Sequence, residues 1–246
     1  MRPLFLTLLA ATAALAQPGV RLPFDGELRD QGPAGRDAYH PAPRFVAGQA
    51  GQALVLDGDR VTVTDDPSLR LAPGLEIDLW VRFDDTPASA RIIGKNEEYQ
   101  LRVDPSVEGA NFSFFVVIGG WEPRAQVKIA PVVGQWYHLR AGWDGLVAWL
   151  DVDGQRTETP RPAPAAGLRA PLTIGPLDIG PFTGAIDEVR VSSPNAVATY
   201  AAHWAFDGTL TDTVADRALA PAAAATFAPG RAGQAEIGRA SCRERV

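Results

Sequence analysis

Cysteine is nearly absent from this chain of 246 residues; the one example, Cys242, stands inside the terminal ten-residue stretch IGRASCRERV. A disulfide framework is therefore excluded, and stability must come from a hydrophobic core. Histidine is scarce as well, and His40, His138 and His203 lie far apart, without the close His or Cys spacing that a zinc site needs. Acyl-transfer chemistry lacks both a cysteine nucleophile in the body and a G-x-S-x-G elbow. Beyond the first sixteen residues no apolar run approaches the roughly 20 residues of a membrane span. Cationic excess is missing too: the formal net charge is -6 and no basic stripe runs through the body, so nucleic acid and anionic membrane are poor candidate partners, and neither nucleic-acid binding nor membrane insertion is expected.

At the N-terminus, MRPLFLTLLAATAALA has a charged start at Arg2, an apolar stretch from Leu4 to Leu15 and small residues at Ala14 and Ala16. This predicts a signal peptide over residues 1–16 and export of the remainder as a secreted or cell-surface protein. The 24 glycines and 21 prolines predict many turns and few long helices. From residue 20 to residue 192 the hydrophobic pattern has a period of two, in short runs broken by turn residues, which is the signature of antiparallel strands with one face buried. In LEIDLWVRF, for example, Leu75, Ile77, Leu79, Val81 and Phe83 share one face, while Glu76, Asp78, Trp80 and Arg82 share the other. Asp144-Gly145 and Asp153-Gly154 predict tight hairpin turns, the second within LVAWLDVDGQRTET. Many short, evenly spaced strands predict an all-β, two-sheet antiparallel sandwich of jelly-roll type.

The ordered set LEIDLWVRF, WYHLRAGWDGLVAWLDVDG, LTIG and FTGAIDEVRVSS resembles the successive strands of a laminin-G-like (concanavalin A-like) jelly roll of the secreted bacterial type. The resemblance runs from about Leu22 to Ser193, within a domain drawn over residues 20–193. It implies a structural calcium ion held by Asp25, Asp30 and Asp187, with Asp57 ranked behind them. It also raises the question of glycoside hydrolysis, whose paired carboxylates lie on one strand as E-x-D-x-x-E or E-x-D-x-E in enzymes of this fold. Here Glu76-Ile-Asp78 supplies only the first half, and Trp80 and Val81 follow. Asp151-Val-Asp153-Gly154 resembles the opening of a calcium-binding EF-hand loop but lacks the distal ligands, so it reads as a hairpin turn.

Sugar recognition calls for an aromatic ring beside polar groups in an open loop. IGGWEPR offers Trp121 between glycines and a proline, with Glu122 and Arg124 adjacent. KNEEYQ, with Asn96 and Tyr99, is a second candidate. His138, in the strand WYHLRAGW, reads as a packed structural histidine.

The chain also matches itself at a constant offset. Phe24, Asp25, Gly26, Leu28 and Asp30 align with Phe206, Asp207, Gly208, Leu210 and Asp212; Phe45, Gly48, Ala50, Gly51, Gln52 and Ala53 align with Phe227, Gly230, Ala232, Gly233, Gln234 and Ala235. Residues 194–202 are thus expected to be a linker, and 203–235 the truncated start of a second, similar domain, with Thr209 to Val246 largely disordered or packed only weakly on the first domain. Residues 236–246, EIGRASCRERV, resemble the in-frame translation of a common sequencing adapter, so Cys242 and its arginines are set aside as an artefact. The expected role is non-catalytic extracellular recognition of glycan or protein, from a longer tandem-domain protein. The alternatives are an accessory domain of a carbohydrate-active enzyme whose catalytic part is missing, and a structural spacer of a surface protein.

Overall fold

A computed structural model of the chain describes residues 19–193, apart from 88, 163–164, 166 and 177–179, together with the backbone of 226–229 and 234–237. Two compact units divide at Ala196 and Val197. The segments expected to be signal peptide (1–16) and linker (194–202), and most of residues 203–246, lie outside the described residues.

In the first unit the described strands are β1 (Gly19–Leu22), β2 (Ala38–Tyr39), β3 (Arg44–Ala47), β4 (Gln52–Asp57), β5 (Val61–Val63), β6 (Leu75–Phe83), β7 (Ala90–Lys95), β8 (Tyr99–Val103), β9 (Phe112–Val116), β10 (Ala125–Val127), β11 (Trp136–Trp143), β12 (Val147–Val152), β13 (Gln155–Pro160), β14 (Leu172–Ile174) and β15 (Thr183–Ser192). They form two antiparallel sheets. The larger runs β13-β12-β11-β6-β15-β4-β3, with β1 also pairing with β15; the smaller runs β10-β9-β8-β7-β14-β5-β2. The expected all-β sandwich is what the chain adopts.

Alternation along β6 explains the layering. Its five apolar side chains are buried, and they join Phe112, Phe114 and Val116 of β9 in one core between the sheets. Phe83 touches Phe182 edge-on at 5.2 Å, and Phe112 packs against Tyr137 at 5.2 Å. Burying each such side chain contributes about 1.5–3 kcal/mol, so the core needs no covalent staple. Both Asp-Gly pairs turn as expected. Asp153 and Gly154 have φ of 50° and 85° between β12 and β13, and the Asp144 carboxylate accepts the amides of Leu146 and Val147 between β11 and β12.

The closing strand β15 changes partner partway along. On one edge Thr183–Ile186 pair with β4 and Gly19–Leu22 of β1 take over opposite Val189–Ser192; on the other edge a bulge between Asp187 and Arg190 interrupts the pairing with β6. Fully buried at this break, the Asp187 carboxylate accepts the amides of Gln49, Ala50 and Glu188 at 2.7–3.0 Å. It thereby anchors the β3–β4 loop. Residue 48 must be glycine, since a Cβ there would lie 2.5 Å from Asp187 Oδ2.

Within the second unit, β16 (Thr226–Pro229) and β17 (Gln234–Ile237) form an antiparallel hairpin. Its register, Phe227 opposite Glu236 and Pro229 opposite Gln234, equals that of the β3–β4 hairpin, Phe45 opposite Leu54 and Ala47 opposite Gln52. The correspondence follows the offset of the internal sequence match.

Candidate functional site

The loop after β9 is built around a guanidinium. Arg161, only 5% exposed, is fixed by its own main chain: its carbonyl accepts the Trp143 indole N–H at 3.0 Å, and its amide donates to Leu146 O. From there its side chain donates to the carbonyls of Val116, Ile118, Gly120 and Glu122. Burial lowers the Arg161 pKa, partly offset by the charge of Glu122. A buried cation is costly unless its donors find acceptors; here both Nη atoms donate to main-chain carbonyls, of Val116 at the end of β9 and of Ile118, Gly120 and Glu122 in the loop, while Nε has no partner among the described residues. Those carbonyls bracket Trp121. Gly120, at φ 135°, allows the turn that presents it.

Beneath the loop, on the outer face of the smaller sheet, Phe115 is buried under three groups. The Arg102 guanidinium lies 4.3 Å from its ring centroid, that of Arg124 lies 5.3 Å away, and Trp121 meets it edge-on at 6.4 Å. Asp104, fully buried, accepts Arg102 Nε, Ser113 Oγ and Gln126 Nε2 at 2.5–2.9 Å and lies 3.3 Å from Arg124 Nη1. Arg124 also pairs with Glu108 at 2.6 Å and with Glu122 at 3.5 Å. Burial lowers the Arg124 pKa, but these carboxylates outweigh it and hold the group above its ordinary value.

Trp121, Glu122 and Arg124 are thus brought together as one cluster. Trp121 is half-buried, and the Glu122 side chain is 61% exposed. The arrangement can stack a ring against an aromatic edge and offer it a carboxylate and a guanidinium at fixed positions. Sequence reading missed Arg161, Arg102, Asp104 and Phe115, which support the cluster from other strands.

The second candidate pair requires a correction. Asn96 is exposed in the β7–β8 turn, but Tyr99 is fully buried and its hydroxyl donates to Leu69 O at 2.7 Å. Its ring cannot meet a ligand. The KNEEY turn faces inward: the buried Lys95 ammonium donates to Asp65 at 2.9 Å and to Leu168 O at 2.8 Å, and Glu98 accepts the Leu71 amide. This segment anchors the connection between β5 and β6.

The three aspartates named for calcium separate into two places. Asp25 and Asp187 both approach the β3–β4 loop, where Asp25 accepts the Gln52 amide at 2.8 Å. Asp30 instead accepts the amides of Arg21, Gly32 and Arg36, closing the loop after β1. Asp57 lies at the end of β4, paired loosely with Arg44 at 3.9 Å. Among the described residues no group of three or more His, Cys, Asp or Glu is placed to hold a metal ion. The carboxylates do not fit calcium as one ligand set.

On the outer face of the larger sheet, Glu76 is paired with Arg140 at 2.8 Å and Asp78 with His138 at 2.9 Å. Trp80 stands where a second acid would follow. His138 stacks on it, Arg82 lies over Trp136, and Arg156 lies over Trp149. Among the described residues no helix is long and apolar enough to cross a membrane.

Two antiparallel sheets packed face to face in this strand order define the class as a jelly-roll sandwich. The chain belongs to the concanavalin A-like lectin/glucanases superfamily, whose laminin-G model matches residues 56–197. No curated protein matches it. Among solved structures it is similar to domain 4 of AbnA, an extracellular GH43 arabinanase from Geobacillus stearothermophilus, in complex with arabinotriose (19% identity, TM-score 0.57, covering 73% of this chain and 94% of that one). It is also similar to the receptor-binding domain of botulinum neurotoxin type G (12% identity, TM-score 0.54, covering 73% and 48%) and to the binding domain of botulinum neurotoxin DC in complex with SialylT (10% identity, TM-score 0.52, covering 72% and 48%). The match spans about half the length of the neurotoxin domains.

Proposed function

We propose that this chain is a non-catalytic extracellular recognition module that binds glycan through the loop carrying Trp121. The observation that carries the reading is the Arg161 clamp. A buried guanidinium whose bonds go to four carbonyls at the end of β9 and in the loop after it fixes the main chain that carries Trp121 before any ligand arrives, and preorganisation of this kind raises affinity by cutting the entropy lost on binding. Glu122 and Arg124 then supply hydrogen bonds beside the ring. The arabinotriose bound to domain 4 of AbnA supports saccharide as the ligand class. Export rests on the signal-peptide pattern of residues 1–16. The shared register of the two hairpins supports a tandem origin, with residues 203–235 opening a second, similar domain. The aspartates serve in this reading as loop anchors: Asp187 and Asp25 for the β3–β4 loop, Asp30 for the loop after β1.

A glycan array with the wild type and Trp121→Ala tests the proposal. Binding that is lost in the variant is expected; absence of binding at millimolar ligand would overturn it and favour a protein-binding or spacer role.

A further inference from the structure

At the edge of the smaller sheet, remote in sequence from the Trp121 loop, a groove of about 560 Å³ is lined by Tyr39, His40, Asp59, Arg60, Thr62 and Pro176, among others. Its size lies within the range of small-molecule sites, about 300–1,000 Å³. Tyr39, on the two-residue edge strand β2, is 67% exposed. A large ring left open at a groove wall, with prolines beside it, is a stacking surface that the core does not explain.

The polar side of the groove is held rigidly. His40 is 7% exposed; its Nδ1 accepts the Ala42 amide at 3.1 Å, so the proton resides on Nε2, which donates to Asp59 Oδ2 at 2.8 Å. Asp59 Oδ1 accepts the Asp57 amide at 2.9 Å. Both carboxylate oxygens are oriented by the protein, and each retains a lone pair for a hydroxyl. Arg60, next along the chain, is exposed and makes no ion pair among the described residues. An uncommitted guanidinium beside an open tyrosine calls for a ligand with both a ring face and an anionic group.

We infer that this groove is a second saccharide site, specific for sugars bearing a carboxylate: the pyranose ring packs on Tyr39, the ligand carboxylate pairs with Arg60, and ring hydroxyls donate to Asp59. The site is independent of Trp121. It gives the module a preference for hexuronate-containing chains.

Isothermal titration of the full chain with tri- and tetrasaccharides of galacturonate, glucuronate and mannuronate, and with their neutral counterparts, tests this inference. Acidic oligosaccharides are expected to bind more tightly than neutral ones. Tyr39→Ala and Arg60→Gln should each weaken that binding by about tenfold or more, the loss expected for a removed charge-assisted contact. Trp121→Ala should leave it unchanged. Both mutated side chains are exposed, so melting temperature serves as a folding control. The inference fails if no hexuronate oligosaccharide binds the wild type, if neutral oligosaccharides bind equally well, or if folded Arg60→Gln retains full affinity. Loss of all acidic binding in Trp121→Ala would also overturn it, by assigning that ligand to the Trp121 loop.

Discussion

His138 lies flat on Trp80, with ring centroids 4.6 Å apart and planes 12° apart, and its Nε2 is 2.9 Å from Asp78 Oδ1. The pair spans neighbouring strands β11 and β6 at directly opposed positions. Such a stack, on a solvent-facing sheet surface, contributes about 0.5–1.5 kcal/mol. His138→Ala is expected to lower unfolding free energy by about that amount and to red-shift tryptophan emission, while glycan affinity at the Trp121 loop stays unchanged. A loss of affinity without loss of stability would show that the larger sheet, not the loop, meets the ligand.

Arg161→Lys keeps the charge but offers three donors from one point in place of a planar fork, so it cannot reach four carbonyls at once. Residues 116–122 should then exchange amide hydrogens faster, and glycan affinity should fall at least as far as in Trp121→Ala. Protection unchanged in that loop would remove Arg161 as its organiser.

Asp187→Ala deletes the buried acceptor of three main-chain amides and should cost about 2–4 kcal/mol, at roughly 0.5–1.5 kcal/mol for each hydrogen bond lost. Because the carboxylates do not form one calcium ligand set, wild-type melting temperature is expected to be the same in calcium and in chelator. A chelator-induced drop of several degrees would restore the metal to this loop.

Burial raises the Asp65 pKa, but the Arg70 and Lys95 side chains outweigh it and hold the carboxylate below its ordinary value. A depressed folded pKa means that the pairing contributes stability above the unfolded carboxylate value, about 3.9, and that this contribution is lost as pH falls through the folded value. Asp65→Asn is therefore expected to destabilise the protein at pH 7, by about 1–3 kcal/mol given partial exposure of the pair. The difference from wild type should shrink as pH falls towards 2 in chemical denaturation. A constant difference across that range would show that geometry, not charge, carries the effect.

Much of the fold was legible because β6, β11, β12 and β15 alternate strictly and Asp-Gly marks both hairpin turns. Tyr99 was misread although its signal was present: YQLRV alternates, which places Tyr99 with Leu101 and Val103 on the buried face. The flanking charges Lys95 and Glu98 point inward, Lys95 pairing with both Glu98 and Asp65. Arg161 and Tyr39 were invisible for another reason. Both sit in proline-rich stretches, RPAPAAG and DAYHPAP, where no periodicity assigns a side to a residue; only tertiary hydrogen bonds and exposure do.

The clamp around Trp121 has an environmental consequence. Arg161 keeps its proton over any acidity in which a protein stays folded, and a main-chain carbonyl never titrates there, so none of the four bonds contains a group that a change of pH could switch off. The path of the main chain through Trp121 is therefore set by bonds that acid does not reach.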